Sequence, residues 1–518
     1  MMPNRITDTL FQLIKSLEKA EKRNFKLYIK RSSAKEDLKI IQLFDALDKL
    51  HEYDERLLLK KLSSVEKPQL ANLKTHLYKQ LLASLRLLKS TDSIDMQLNE
   101  QLDYARILYN KGLKQQSLKI IERAKEMARA SHKFNFLAQV ASLEKKIETL
   151  HITRSTPERT ERLSNEALEV SAHISMVAKL SNLALQLYTW YVQNGHARNE
   201  KDETGVKQFF KKNVPANANA LTGFYERLYL YQCYCWYAFI RQDFIMYYRY
   251  SQKWIDLFYA EEKMIAVETG HYIKGMHNLL NAHFDLRNYQ KFDETLRSFE
   301  KYADTDIANQ HDNFRVHTFV YINSAKINQH LMTGTFKQGL SLVASIEEKL
   351  DGYGLYIDRH RVLVFNYKIA CLYFGNADYE TSIDYLQKII NGNVDLRIDL
   401  HCYARLLHLM AHYELGNTEI IESLIKSVYR FMSKMENLTV IEEEMFRFLR
   451  RSFHVSPKKL KPEFEKFLQK IKQFEKSRFE TRAFAYLDII SWVESKLYAK
   501  PMSTIINEKY LDSRRRVQ

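Results

Sequence analysis

Residues 364–390, VFNYKIACLYFGNADYETSIDYLQKII, read as two amphipathic helices joined by one tight polar turn. Val364, Phe365, Ile369, Ala370, Leu372 and Tyr373 fall mostly at helical spacing. Tyr379, Ser382, Ile383, Leu386, Ile389 and Ile390 line one side after the turn. Between them GNAD (375–378) supplies residues that tolerate non-helical dihedrals. A lone hairpin of this kind cannot bury both of its faces. It needs neighbours, and that need is the physical origin of stacked helical repeats. Turns of similar chemistry recur near residues 112, 242, 287, 334, 377 and 416, with gaps of 45, 47, 43 and 39 from 242 onward. The first gap, 130, is close to three such periods, which places missing turns near 155 and 199. The loop-like stretches HITRSTPE (151–158) and QNGHARNEKDETG (193–205) stand there. Glycine (13) and proline (7) are scarce in 518 residues, and no proline lies between Pro215 and Pro457. Sheets need turns every few residues, so this scarcity predicts an all-α chain of long helices.

Ala370, Tyr373, Ser382 and Leu386 give the small, aromatic, small, bulky order of a known motif, and the hairpin resembles the tetratricopeptide repeat. Ile389 stands where that family has a small residue, the helix-ending proline is absent, and the period is near 43 rather than about 34. Further hairpins fit at 105–124 (Ala105, Leu108, Gly112, Ser117, Ile121, Ala124), 279–296, 327–346 and 409–425. A poorer one lies at 234–251. The run LIKSLEKAEKRNFKLYIK (13–30) resembles the opening of a group of helical-repeat proteins of Bacteroidota, a likeness that implies no activity. The resemblance implies an α-solenoid of antiparallel helix pairs with an N-terminal helical bundle and a C-terminal capping helix pair.

In the tetratricopeptide family, recurring positions of the first helix line a concave groove. Carried onto this chain, they give Gln232, Trp236, His277, Asn281, Asn328, Tyr367 and Cys371 as candidate groove residues. Asn281 and Asn328 take the same place in successive repeats, and an amide has a donor and an acceptor to pair with an extended peptide backbone. The lysines of the family's carboxylate clamp are missing from their place, so a C-terminal carboxylate is not the expected ligand.

Three domains are expected. Residues 1–90 form a basic helical bundle, with helices at about 6–20, 21–31, 37–51, 54–62 and 67–89. Residues 91–445 form the repeat array, in which 160–195 are helical and 196–220 a long loop. Residues 446–518 supply basic capping helices at 463–476 and 479–498, and a mobile tail. Lys and Arg exceed Asp and Glu by 8 in residues 1–90 and by 10 in 446–518, whereas 91–445 carry −2. Basic ends suit an acidic partner, nucleic acid or ribosome included, and they also suit plain solvation. The candidate polyanion contacts are Lys60, Lys61, Lys67, Lys74 and Lys79 at one end and Lys458, Lys459 and Lys461 at the other. The pair 54–62 and 68–85 reads either as a DNA-binding helix-turn-helix or as a cap.

No chemistry stands out. His408 and His412 share a helix face, but the residue after His408 is Leu409, so the metalloprotease signature is absent. No nucleophile elbow or phosphate-binding glycine motif occurs. We therefore expect no enzyme, metal or cofactor. The cysteines Cys233, Cys235, Cys371 and Cys402 make no metal or redox spacing, the first residues lack an apolar signal core, and no run is long enough to span a bilayer. A cytoplasmic protein without a membrane partner is expected. The expected task is that of a scaffold or adaptor taking an unknown protein or peptide in its groove, the alternative being a nucleic-acid- or ribosome-associated regulator.

Overall fold

The computed structural model describes residues 8–31, 35–62, 67–151, 156–353, 357–394, 397–435, 438–453, 455–474, 477, 479–480 and 488–515. Among them the chain is all-α, with no strand. It divides into two compact units, Met1–Val170 and Ser171–Gln518.

The first unit holds α1 (Thr9–Ser16), α2 (Lys19–Lys30), α3 (Lys35–Asp48), α4 (Glu55–Lys61), α5 (Lys67–Leu88), α6 (Ile94–Asn110), α7 (Lys114–Ala130), α8 (Phe134–Leu150) and the start of α9 (Pro157–Asn194). The first five helices share a core around Phe25, Leu43, Phe44, Leu47, Leu77 and Leu81. Helices α6 to α8 build a second one from Leu102, Ala105, Ile121, Ala124, Val140 and Ile147. Lys125 is only 5% exposed. It is neutralised by Glu144 and Glu166, the latter at 2.7 Å, as a buried ammonium must be. The turn expected near 155 falls on residues 152–155, outside the described residues.

The second unit continues α9 and adds α10 (Glu200–Asn213), α11 (Phe224–Ile240), α12 (Phe244–Ala260), α13 (Lys263–Val267), α14 (Thr269–Asp285), α15 (Tyr289–Ala303) and α16 (Asp306–Asn309). It goes on through α17 (Asp312–Thr333), α18 (Phe336–Leu340), α19 (Val343–Gly352), α20 (Arg359–Gly375), α21 (Tyr379–Ile390), α22 (Ile398–Glu414) and α23 (Thr418–Lys434). It ends in α24 (Val440–Ser452), α25 (Pro457–Gln473), α26 (Ile489–Leu497) and α27 (Met502–Arg515). Neighbours pack in pairs: α11 with α12, α14 with α15, α20 with α21, α22 with α23. The leading helices also touch one another, α14 on α17, α17 on α20 and α20 on α22.

One turn recurs between helices. Left-handed residues stand at Gly112, His132, Gln242, Arg287, Gly334, Ala377, Gly416 and Ala499. At each, the following N–H donates to a carbonyl five residues back, as in Leu113 to Leu108 (2.9 Å), Asp243 to Ala238 (2.9 Å) and Asp378 to Tyr373 (3.0 Å). This ties off the helix's last free carbonyls. At 243 and 378 the same residue then caps the next helix, Asp243 Oδ1 accepting from Met246 N and Asp378 Oδ1 from Thr381 N. Reversal therefore takes only three residues. Within two hairpins a matching bond crosses the pair: Ser117 Oγ donates to Ala105 O (2.7 Å) and Ser382 Oγ to Ala370 O (2.9 Å). The small residue lets the helices approach, and its hydroxyl closes on the carbonyl it meets.

Two expectations fail. Residues 196–220 are no long loop, because most of them form α10. Asn199 accepts from Asp202 N at its start, Glu200, Asp202 and Glu203 favour the positive N-terminal end, and Lys211 and Lys212 favour the other. Val206 and Phe210 supply its buried stripe. The tail is not loose up to 515 either. Helix α27 packs on α17, where Asn507 Nδ2 donates to Thr333 O (2.9 Å), and Tyr510 meets the Tyr289 ring edge-on at 4.8 Å.

Candidate functional site

Within the second unit, α9, α11, α12, α14, α17, α20 and the start of α22 enclose a cavity of about 620 Å³. Trp236, His277, Asn281, Asn328, Tyr367 and Cys371 line it. Gln232 does not; its Nε2 lies 3.2 Å from His271 Nδ1. The hairpin register explains the gathering. Turns of α11, α14, α17 and α20 face one space because α14, α17 and α20 pack one on the next and α11 is joined to α14 through α12.

One wall is aromatic. Trp236 meets Tyr191 at 5.5 Å and Tyr188 at 5.1 Å, and the His277 ring stacks on Tyr321 at 4.0 Å and 14°. Aromatic contacts of this kind contribute about 0.5–1.5 kcal/mol each beyond burial.

The other wall is cationic, which the sequence reading did not anticipate. Lys274, Arg361, Lys368 and Arg397 all reach the cavity. Lys368 Nζ donates to Ser324 Oγ (2.5 Å) and to Asn328 Oδ1 (2.8 Å). Arg361 pairs with Asp358 at 2.9 Å and Arg397 with Asp399 at 2.8 Å. Lys274 has no carboxylate partner among the described residues; its ammonium lies 5.5 Å from the Tyr321 ring centre and 6.0 Å from that of Trp236. The two amides are also employed. Asn328 serves Lys368, and Asn281 Nδ2 lies 3.0 Å from His277 Nε2. The two amides expected to meet a peptide backbone are thus already engaged with neighbouring side chains.

The electrostatics follow from this arrangement. Burial holds the His277 imidazole well below its usual value, and Lys274, Lys368 and Arg361 push the same way. Burial alone would raise the Tyr321 phenol, yet Lys274 and Arg361 outweigh it and hold it below the ordinary range. Burial lifts Asp285 to about 7 against the pull of Arg287 and Lys368. It brings Lys368 down to about 7, while Cys371 and Asp285 work to raise it. Burial pushes the Cys371 thiol up to about 12, so the site offers no thiolate at neutral pH.

A stability consequence can be signed. Lys368 binds fewer protons folded than unfolded between about pH 7 and its ordinary value near 10.5. Its contribution is therefore fully present above 10.5 and is lost as pH falls towards 7. Lys368→Met removes that dependence. The midpoint difference, variant minus wild type, should rise as pH is lowered across this window and level off below it. A difference independent of pH would show that Lys368 keeps an ordinary amine.

The candidate polyanion lysines divide by geometry. Lys60, Lys61, Lys79, Lys459 and Lys461 are exposed. Lys67 is exposed beside Glu55 at 3.8 Å. Lys74 departs from its expected role: it turns inward to ion-pair with Asp8 and to donate to Tyr53 Oη at 2.9 Å. The side chain of Lys458 lies outside the described residues. His408 and His412 sit ring to ring at 4.5 Å, with His412 Nδ1 2.9 Å from Asn417 Nδ2. No helix among the described residues is long and apolar enough to cross a membrane. A scan against protein-family models finds no match for this chain, and a search of curated proteins finds none either.

Proposed function

We propose that this chain is a tetratricopeptide-like α-solenoid that acts as an interaction scaffold, receiving part of a protein or peptide partner on the face where α11, α14, α17 and α20 meet. One observation carries the reading: six residues picked by their recurring hairpin position surround a single cavity of about 620 Å³. A packed repeat interior would fill such a space with side chains. Trp236 and Tyr321 are the anchors, because aromatic residues dominate binding energy at interfaces. The test is affinity capture from the native cell with wild type, Trp236→Ala and Tyr321→Ala at matched thermal midpoints. Both variants should lose, by about tenfold or more, a partner that wild type retains. Equal recovery by all three chains would sink the scaffold reading at this face.

A second reading, contact of the basic ends with nucleic acid, draws on α25. Its first turn holds no acidic residue and opens Pro457, Lys458, Lys459. Cations at a helix N-terminus oppose the macrodipole at about 0.3–1 kcal/mol each, so local stability does not account for them. Charge reversal at Lys459 and Lys461 should weaken binding of duplex RNA at low salt without loss of helicity. Absence of binding by wild type at about 50 mM salt would end this reading.

A further inference from the structure

The cavity's two walls are chemically unlike, and together they describe a ligand. One is aromatic, built from Trp236 beside Tyr188 and Tyr191 and from Tyr321, one face of which the His277 ring covers at 4.0 Å. The other offers cations, among which Lys274 stands apart. Arg361 and Arg397 have carboxylate partners, and Lys368 is held by Ser324 and Asn328. Lys274 is partly buried; among the described residues it makes no ion pair, its ammonium lies over the rings of Tyr321 and Trp236, and Cys235, His277 and His317 also stand within its field. Ring faces compensate an ammonium by about 0.5–2 kcal/mol, far less than an anion does in a water-poor site. The carboxylates nearby do not fill the gap: Asp358 is taken by Arg361, and Asp285 stands in the field of Arg287 and Lys368. Lys274 and Arg361 add to the burial that holds His277 down, and they hold the Tyr321 phenol below its ordinary range against burial. A volume of about 620 Å³ suits a small molecule or one side-chain cluster.

We propose that this cavity binds a small organic anion, a carboxylate or phosphate carried on a planar ring system, with Lys274 taking the charge and the aromatic wall around Trp236 the ring. The site lies on the face to which the scaffold reading assigns the partner, but the two stand separately. A ligand site without partner capture refutes only the scaffold, and capture without ligand binding refutes only this site.

Isothermal titration calorimetry on the full chain at neutral pH tests it. The probes are 2-naphthoate, 2-naphthyl phosphate, the neutral 2-naphthalenemethanol and inorganic phosphate. At least one ring-bearing anion should bind about tenfold or more tightly than both the neutral ring and inorganic phosphate. Whichever naphthyl anion binds better identifies the carboxylate or the phosphate as the natural group. Lys274→Met should cost that probe about tenfold or more, Lys274→Arg should largely keep it, and Lys301→Met, on the exposed surface, should leave it unchanged. A smaller preference for the charged ring overturns the proposal, as does an undiminished affinity in Lys274→Met. Should the variant fail to fold, the wild-type comparison of charged and neutral rings still decides.

Discussion

Gly334→Ala should strip α27 from α17. Gly334 closes α17 in the left-handed region at φ +71°, where a side chain costs about 1–2 kcal/mol. A Cβ there would also overlap the Ser503 carbonyl oxygen and lie 3.0 Å from Asn507 N. Those are backbone atoms of the facing helix and cannot turn aside, so overpacking adds about 1–3 kcal/mol. The cheapest escape is to move α27, which gives up the Asn507–Thr333 hydrogen bond and the Tyr289–Tyr510 contact. Gly416→Ala is the matched control. Its φ is +70°, but a Cβ added there meets nothing within 4 Å, so it costs the left-handed penalty alone. Hydrogen exchange over 502–515 and tryptic cleavage after Lys509 should accelerate in Gly334→Ala and stay at wild-type rates in Gly416→Ala. If both variants behave alike, the contact between the turn and α27 is not what holds the last helix.

Gly334 also shows what could be read in advance. The turns at 112, 242, 287, 334, 377 and 416 were legible because small or amide-bearing residues interrupt apolar helical spacing there, and each has the same left-handed exit. The turn at His132 was missed for the converse reason, since histidine carries no such sign although the residue takes the same left-handed conformation. Helix α10 was hidden by its charges. Its apolar stripe is short, yet those charges stand at the ends where the helix dipole favours them. Part of the aromatic lining followed from hairpin register, because His277 and Tyr367 recur at one position and Trp236 stands one turn on, at the position of Asn281, Asn328 and Cys371. The cations did not, since Lys274, Arg361 and Lys368 lie off those positions and reach the space because α14, α17 and α20 pack one on the next. One signal was available: Lys368 is the single charge in the apolar run VFNYKIACLYF, and a lone lysine among such residues has to find partners inside.

Trp492 should prove the costliest side chain to remove from the C-terminal helices. It is 1% exposed on α26 and meets Tyr413 and Phe464 at 6.0 Å and Phe448 at 6.4 Å. Its Nε1 donates to Glu414 Oε1 at 2.6 Å, joining α26 to the end of α22 across 78 residues of sequence. Lys496 pairs with the same carboxylate, which is therefore buried, charged and dependent on its donors. Two substitutions separate the contributions. Trp492→Phe keeps a ring in the cluster and removes one donor to a charged acceptor, for about 1–3 kcal/mol. Trp492→Ala also opens a cavity among Tyr413, Phe448 and Phe464, for about 3–5 kcal/mol. Helix α22 begins beside the cavity, with Arg397 at its cap and Leu400 in the lining, so its far end is braced from outside the site. Urea unfolding should rank wild type above Trp492→Phe above Trp492→Ala, with hydrogen exchange rising first over 489–497 and 409–414. Equal losses in the two variants would assign the effect to the hydrogen bond alone, and a loss below about 1 kcal/mol in Trp492→Ala would mean that α26 does not brace α22.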